Sequence, residues 1–164
     1  MIQHLKTFIT KGTDPHRNLA IEEYLTDTVP ENTCILYLWQ NKHTVVIGRN
    51  QNAWLECRTT ELERDGGTLA RRLSGGGAVY HDMGNLNFTF SMRTEDYDLK
   101  RQQSVIVEAC RLLGIPAEIS GRNDILTNGC KFSGNSFYNH AGCSFHNGTL
   151  LINVDMANLG KYLT

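Results

Sequence analysis

The sequence predicts an α+β domain, a mostly antiparallel β-sheet with helices packed on one face. Three observations carry that expectation. Leu86, Phe88, Phe90 and Met92 alternate with Asn87, Thr89 and Ser91, the period-2 pattern of a strand with one buried face. Apolar runs of strand length, bounded by turn residues, outnumber the helix-like stretches. Asn128-Gly129 is the strongest short hairpin signal in the chain, and a hairpin joins antiparallel neighbours.

The elements follow in order. Residues 1–10 read as a short strand. Asp14-Pro15 opens a helix, with Asp as N-cap and Pro at the first helical position. That helix runs through Leu25 and stops before Pro30. Cys34 to Trp39 and Thr44 to Gly48 are strands, separated by the turn-like Asn41-Lys42. Thr59 or Thr60 caps a short helix ending near Gly66. Val79 and Tyr80 favour a strand, joined by a tight turn at Gly84-Asn85 to the alternating strand that follows. Tyr97 to Leu113 is a helix whose Leu99, Ile106, Cys110 and Leu113 share a face, stopped by Gly114 and Pro116. Ala117 to Ile119 and Ile125 to Thr127 are brief strands. Lys131 to Phe137 leads from the Asn128-Gly129 turn toward a further strand over Thr149 to Asn153. Asp155 to Leu163 begins a last helix. No linker, repeat or low-complexity tract divides residues 1–164, which read as one domain.

The stretch from Gly66 to Met92 organises the rest. Gly75-Gly76-Gly77 serves no packing purpose and its freedom costs entropy on folding. What three glycines offer is unobstructed backbone N–H groups, against which an anionic or acyl group can lie. Arg71 and Arg72 stand just before them, and strand alternation sends one inward if the other faces solvent. A guanidinium beside bare amides suits a phosphate or carboxylate. A hairpin corner flanked by two surface arginines is the plain structural alternative. Neither Gly-x-x-x-x-Gly-Lys-Ser/Thr nor a helix-opening Gly-x-Gly-x-x-Gly occurs, so any anion site here is of another lineage.

Composition narrows the function classes. At 164 residues the chain can bury a proper core. With 16 Lys+Arg against 17 Asp+Glu there is no basic field to attract nucleic acid. The apolar residues, 40% of the chain, are too scattered for a membrane span. The first ten residues carry neither an apolar signal core nor an Arg/Ser-rich transit pattern. Five cysteines (Cys34, Cys57, Cys110, Cys130, Cys143) without Cys-x-x-Cys spacing suit reduced thiols in a cytoplasm.

Arg71 to Asn85 matches the glycine-rich motif of the lipoate–protein ligases nearly throughout. Further segments match in order: Asn18-Leu19-Ala20-Ile21-Glu22-Glu23, Val45 to Asn52, Gly121-Arg122-Asn123-Asp124-Ile125, Lys131-Phe132-Ser133-Gly134 and His146 to Leu151. The chain thus resembles that family, within the superfamily of lipoyl, octanoyl and biotin protein ligases, over its whole length. The resemblance implies a biotin/lipoate protein ligase-like fold and a two-step reaction. Lipoate and ATP give lipoyl-adenylate and pyrophosphate, normally with Mg²⁺. A lysine of a lipoyl domain, in a 2-oxoacid dehydrogenase E2 subunit or the glycine cleavage H protein, then takes the acyl group. By the same resemblance Arg72 and the amides of Gly77, Ala78, Val79 and Tyr80 bind nucleotide. Lys131 touches both lipoate and adenylate and is the catalytic residue. Gly75, Gly76 and His81 lie at the lipoate, and Asn123 and Asp124 are candidates for Mg²⁺ or ribose. For Asp124 a turn-forming role accounts for the residue equally well. The family's enzymes are longer, so the chain reads as an N-terminal portion of a catalytic domain, truncated at its C-terminal end.

Two alternatives share the scaffold: a different enzyme, either an octanoyl- or lipoyltransferase acting through a thiol or a biotin ligase, and a non-catalytic lipoate-binding fragment. No cysteine falls in Gly121 to Asp124, where the resemblance places the transferase thiol. His140-x-x-Cys143-x-x-His146 has metal-like spacing, but it offers three ligands where a structural zinc site usually takes four.

Overall fold

A computed structural model describes residues 1–164 except Arg122. The elements are β1 (His4–Ile9), α1 (Pro15–Asp27), β2 (Thr33–Trp39), β3 (Thr44–Ile47), α2 (Ala53–Glu56), α3 (Thr59–Arg64), β4 (Thr68–Arg71), β5 (Val79–His81) and β6 (Asn85–Arg93). A 3₁₀ turn over Thr94–Asp96 precedes α4 (Leu99–Leu112), β7 (Glu118–Ser120), β8 (Asp124–Thr127), β9 (Cys130–His140), β10 (Cys143–Leu151) and α5 (Met156–Tyr162). Seven strands form one sheet in the order β1-β2-β6-β10-β9-β8-β7, and three form a second, β4-β3-β5. Only β1–β2 and β3–β4 pair in parallel among the described residues, so the mostly antiparallel α+β expectation holds.

The helices divide between the two faces of the large sheet. α1 touches its odd-numbered side: Thr26 Oγ1 lies 2.8 Å from Ser91 Oγ, and Thr89 Oγ1 donates to Glu22 Oε1 at 2.6 Å. α4 covers the even-numbered side, where Ile106 joins Phe88, Phe90 and Met92 in one apolar cluster. The period-2 reading of β6 expected one buried face. Both are buried: Phe88, Phe90 and Met92 are 1–5% exposed, and Asn87, Thr89 and Ser91 are 0–2% exposed.

The turn at Gly84-Asn85 is present, with Gly84 N–H donating to Asp82 Oδ1 at 2.8 Å. It does not close a hairpin, however. β5 pairs with β3 in the small sheet and β6 with β2 and β10 in the large one, so the turn carries the chain from sheet to sheet. Asn41-Lys42 makes the same crossing between β2 and β3.

Several boundaries moved. Neither Thr59 nor Thr60 caps α3; Arg58 holds the cap position without a side-chain bond, and its N–H donates to Tyr162 O at 2.9 Å. α4 starts at Leu99 under an Asp98 cap, and Leu113 is exposed beyond its end. β10 begins six residues before the expected Thr149, at Cys143. A two-residue turn over Ala141 (φ 48) and Gly142 (φ 77) joins it to β9. This repeats the turn at Asn128 (φ 49) and Gly129 (φ 76) that joins β8 to β9. Both central residues of such a turn need positive φ. Asn advertises that conformation and Ala does not, which hid the second hairpin. Among the described residues no helix is long and apolar enough to cross a membrane.

Candidate functional site

The cavity that matters lies at the seam between the two sheets. The small sheet contributes Val46, Val79 and His81, with Arg72, Gly76, Gly77 and Ala78 from the loop between β4 and β5; the large sheet contributes Trp39, Lys131, Ser136 and Asn147. Leu19 of α1 closes one side, and Asn123 and Asp124 stand near Lys131. The two walls are tied where Ser74 Oγ meets Ser136 Oγ at 2.7 Å.

Arg71 and Arg72 alternate as strand geometry demands. Arg71 is exposed, and its Nη1 donates to the carbonyls of Gly48, Arg49 and Gln51. Arg72 is buried beneath the glycine loop. Its Nε and Nη2 donate to Gly75 O at 3.2 and 2.7 Å, Nη2 also donates to Gly77 O at 2.8 Å, and Nη1 donates to Val46 O at 3.2 Å. Four bonds to backbone carbonyls make this guanidinium the frame of the loop, with its charge set at the cavity wall. Burial pulls its pKa down to about 10, partly offset by Glu22, so it stays cationic at neutral pH. Gly76 takes φ +94, and a Cβ there would lie 2.9 Å from Arg72 Nη2. At Gly77 a Cβ would meet nothing within 4 Å, since that position opens on space.

Lys131 is carried by a β-bulge. The register between β8 and β9 shifts so that Leu126 faces Lys131 while Ile125 faces Ser133, leaving Phe132 as the extra residue. A bulge re-aims the side chains beside it. Lys131 Nζ pairs with Asp124 Oδ1 at 2.8 Å, half-exposed at the cavity. Gly134 makes room for it, because a Cβ there would press to 3.3 Å from Lys131 Cε.

Behind the cavity wall lies a polar layer that the sequence reading missed. Glu22 is fully buried and accepts from Thr89 Oγ1 and, at 3.0 Å, from Asn147 Nδ2. Burial raises its pKa to about 7 against the pull of those bonds and of Arg72. Asn18, Glu22 and Thr26 are the buried side of α1, spaced four residues apart. That polar stripe at helical spacing was the available signal. Asn41 Nδ2 lies 3.2 Å from His81 Nδ1, and Trp39 sets its ring edge-on to His81 at 6.2 Å. His146 Nε2 meets Asn135 Oδ1 at 2.7 Å.

The predicted site residues separate as follows. Arg72, Gly76, Gly77, Ala78, Val79, His81, Asn123, Asp124 and Lys131 all line the cavity. Gly75 is exposed outside that lining, serving the loop through its carbonyl. The Tyr80 ring turns the other way, its hydroxyl 2.8 Å from His43 Nδ1, so only its backbone is left for the role expected of it. Arg122, within a matched segment, lies outside the described residues. His140, Cys143 and His146 do not converge: Cys143 Sγ accepts from Arg93 at 3.3 Å while His146 belongs to the Asn135 pair. Among the described residues no three His, Cys, Asp or Glu side chains gather as a metal cluster.

Comparison with known proteins gives a consistent picture. The family described as lipoyl protein ligase A/B catalytic domain matches residues 14–164. Lipoate-protein ligase A of Psychrobacter cryohalolentis is 49% identical over 151 residues, covering 92% of this chain and 44% of that protein. The Bdellovibrio bacteriovorus protein of the same name is 44% identical, covering 99% of this chain and 49% of its own length. The chain therefore spans about half the length of the curated relatives it matches. Plasmodium falciparum LipL1 in complex with lipoate superposes with a TM-score of 0.90 at 35% identity, over 98% of this chain and 52% of that one. A lipoate-protein ligase A bound with ATP gives 0.87 at 27% identity, over 100% and 72%. A cavity built from the glycine loop, Arg72 and Lys131 thus sits in a chain that belongs to the lipoyl protein ligase A/B catalytic-domain family.

Proposed function

We propose that this chain supplies the acyl- and nucleotide-binding pocket of an ATP-dependent lipoate–protein ligase. The observation that supports it most directly is one cavity shared by the glycine-loop residues and Lys131 on facing sheets. In the first step a lipoate carboxylate oxygen attacks the α-phosphorus of ATP. The bond from that phosphorus to the bridging oxygen breaks, and pyrophosphate leaves. In the second, an acceptor lysine amine attacks the acyl carbonyl of the adenylate, the C–O bond to AMP breaks, and the amine loses a proton.

Both steps build negative charge, so preorganised cations and amides lower the barrier. Arg72 sets its charge at the wall, and the Gly77–Tyr80 amides that β3 does not take would meet the phosphates. Lys131 exchanges Asp124 for the acyl carboxylate and then stabilises charge on the anhydride carbonyl. Mg²⁺ usually takes one or two carboxylates together with substrate phosphates. Asp124, with Asn123 beside it, fits that pattern, and the ion would neutralise triphosphate charge. The acceptors in this reading are lipoyl domains of 2-oxoacid dehydrogenase E2 subunits and the glycine cleavage H protein. A similar structure from Thermoplasma acidophilum, described with its E2 lipoyl domain, supports the E2 part of that reading. Five free thiols support a reducing, cytoplasmic setting.

A thiol-dependent acyltransferase is disfavoured by placement, because no described residue lining the cavity is a cysteine. Incubating the protein with lipoate, ATP and an E2 lipoyl domain tests the proposal. Lipoate-dependent pyrophosphate release and an acceptor gaining one lipoyl mass are expected, both lost without ATP. Acyl transfer without ATP, or an acyl adduct on Cys130 or Cys143, would move the protein to the transferase class. Lipoate binding with no pyrophosphate release would leave a binding fragment.

A further inference from the structure

The matched segment Asn18 to Glu23 and the linker residue Asn41 have no part in the chemistry above, yet they lead to the cavity through a chain of directed hydrogen bonds. Asn18 Nδ2 faces three acceptors: Gly12 O at 3.1 Å, Gln40 O at 2.9 Å and Asn41 Oδ1 at 3.0 Å. The Tyr37 hydroxyl donates to Asn18 Oδ1 at 3.2 Å. Backbone carbonyls only accept, so the Asn18 amide has one orientation. Asn41 must then turn its oxygen to Asn18 and its NH₂ to His81, 3.2 Å from Nδ1. An NH₂ only donates, so Nδ1 of His81 accepts and its proton sits on Nε2. That Nε2 is buried and has no partner among the described residues, on a ring that lines the cavity. A buried donor without an acceptor is costly, about 1–3 kcal/mol, and such a group calls for a ligand atom.

We propose that Asn41, held by Asn18, is a positioning residue that fixes His81 as the Nε2–H tautomer, and that this N–H selects a sulfur-bearing acyl tail. The surroundings decide which ligand atom it meets. Trp39 meets the His81 ring edge-on at 6.2 Å, Leu19 and Val46 add apolar lining to the same cavity, and the cavity's amine, on Lys131, pairs with Asp124. A carboxylate belongs with the amine, and an acyl tail with the Trp39 ring that His81 touches. On the lipoate reading, which this inference rests on, the tail's heteroatoms are the two dithiolane sulfurs, and divalent sulfur is a weak hydrogen-bond acceptor. An unbranched fatty acid of the same carbon count has none. His81 stays neutral for this purpose, since burial, with Arg72 adding to it, lowers its pKa to about 3.

The test is nitrogen NMR on chain carrying ¹⁵N-histidine, with the His81 signals identified by their loss in His81→Phe. Expected at neutral pH without ligand are a bare, accepting Nδ1 and a protonated Nε2. Asn41→Asp, which replaces the donor by an acceptor, should move a proton onto Nδ1. Lipoate should shift the Nε2–H signal and octanoate should leave it in place. The lipoate-to-octanoate affinity ratio should fall in His81→Phe by a factor of roughly 2–10, the worth of one net hydrogen bond. A proton on Nδ1 in the wild-type spectrum overturns the tautomer assignment, with no variant needed to decide it. An equal response to octanoate overturns the sulfur contact. If lipoate fails to bind at all, the acyl reading of the pocket and the sulfur contact fall together, while the tautomer still stands or falls on the unliganded spectrum.

Discussion

The two faces of β6 are equally buried and chemically opposite. Toward α4 the sheet presents Phe88, Phe90 and Met92, packed with Ile106 and Cys34. Toward α1 it presents Asn87, Thr89 and Ser91; Glu22 meets Thr89, Thr26 meets Ser91, Asn85 donates to Asn87, and Asn147 of β10 joins at Glu22. Hydrocarbon packing is non-directional and follows area removed from water. A buried polar layer is directional, and each group is tolerable only while partnered. The first face stabilises the domain. The second adds little net stability while its groups are partnered, and its Asn87 and Asn147 line the cavity. The molecule has separated what holds it together from what orients its site.

The largest loss is expected on the apolar face. Phe88→Ala should cost about 3–5 kcal/mol, read by chemical denaturation. A loss under about 1 kcal/mol would mean that this face is not the stabilising one. Lys131→Ala, at the cavity, should leave the melting temperature unchanged. It should slow lipoate-dependent pyrophosphate release roughly 10²–10³-fold; near-normal release would remove Lys131 from the mechanism.

Glu22 sharpens the contrast through pH. Burial lifts its folded-state pKa from 4.5 to about 7, so the unfolded chain gives up this proton first as pH rises. Its contribution to stability is intact below about 4.5 and is lost through about 7, with a slope of at most about 1.4 kcal/mol per pH unit. Buried His81 and His146, with pKa values lowered by burial, act in the opposite sense. The informative quantity is therefore the difference between variant and wild type. Glu22→Gln should gain on wild type as pH rises from about 5 to 7.5 in thermal melts; a flat difference would clear Glu22 of the role.

The smallest expected effect is the most diagnostic. Thr26→Val strands the Ser91 hydroxyl and should cost about 1–3 kcal/mol, whereas Thr26→Val with Ser91→Ala removes both partners and should be nearly neutral. Additive losses in that double-mutant cycle would show that the pair is not coupled.

The apolar face was legible because alternation reports it directly, and so was the Asn128-Gly129 turn. The glycine loop, Arg72 and Lys131 were legible through ordered matches along the chain. The polar face was not, because Asn87, Thr89 and Ser91 read identically whether they meet water or a buried helix. What distinguishes the cases is the facing residue on α1, 67 positions away from Thr89 for Glu22, and no local window contains it. The sheet switch at Gly84-Asn85 was hidden for a similar reason. A tight turn looks the same whether its strands pair with each other or with strands elsewhere. Asn41 lay in what read as a simple turn, and only the fold reveals its place between Asn18 and His81.

The glycines around the loop are held by two different kinds of selection. At Gly48 any Cβ would overlap the Gly76 carbonyl oxygen, and at Gly84 it would overlap the Asn153 carbonyl. Backbone meets backbone there, so those positions should stay glycine in descendants of this chain that have lost every substrate. Gly77 has no such neighbour and its Cβ would enter open space. On the proposed function, an occupant of the cavity would be what keeps it bare. In a lineage that keeps the fold but abandons the chemistry, position 77 should be the first of the three to drift, and its drift would date the loss.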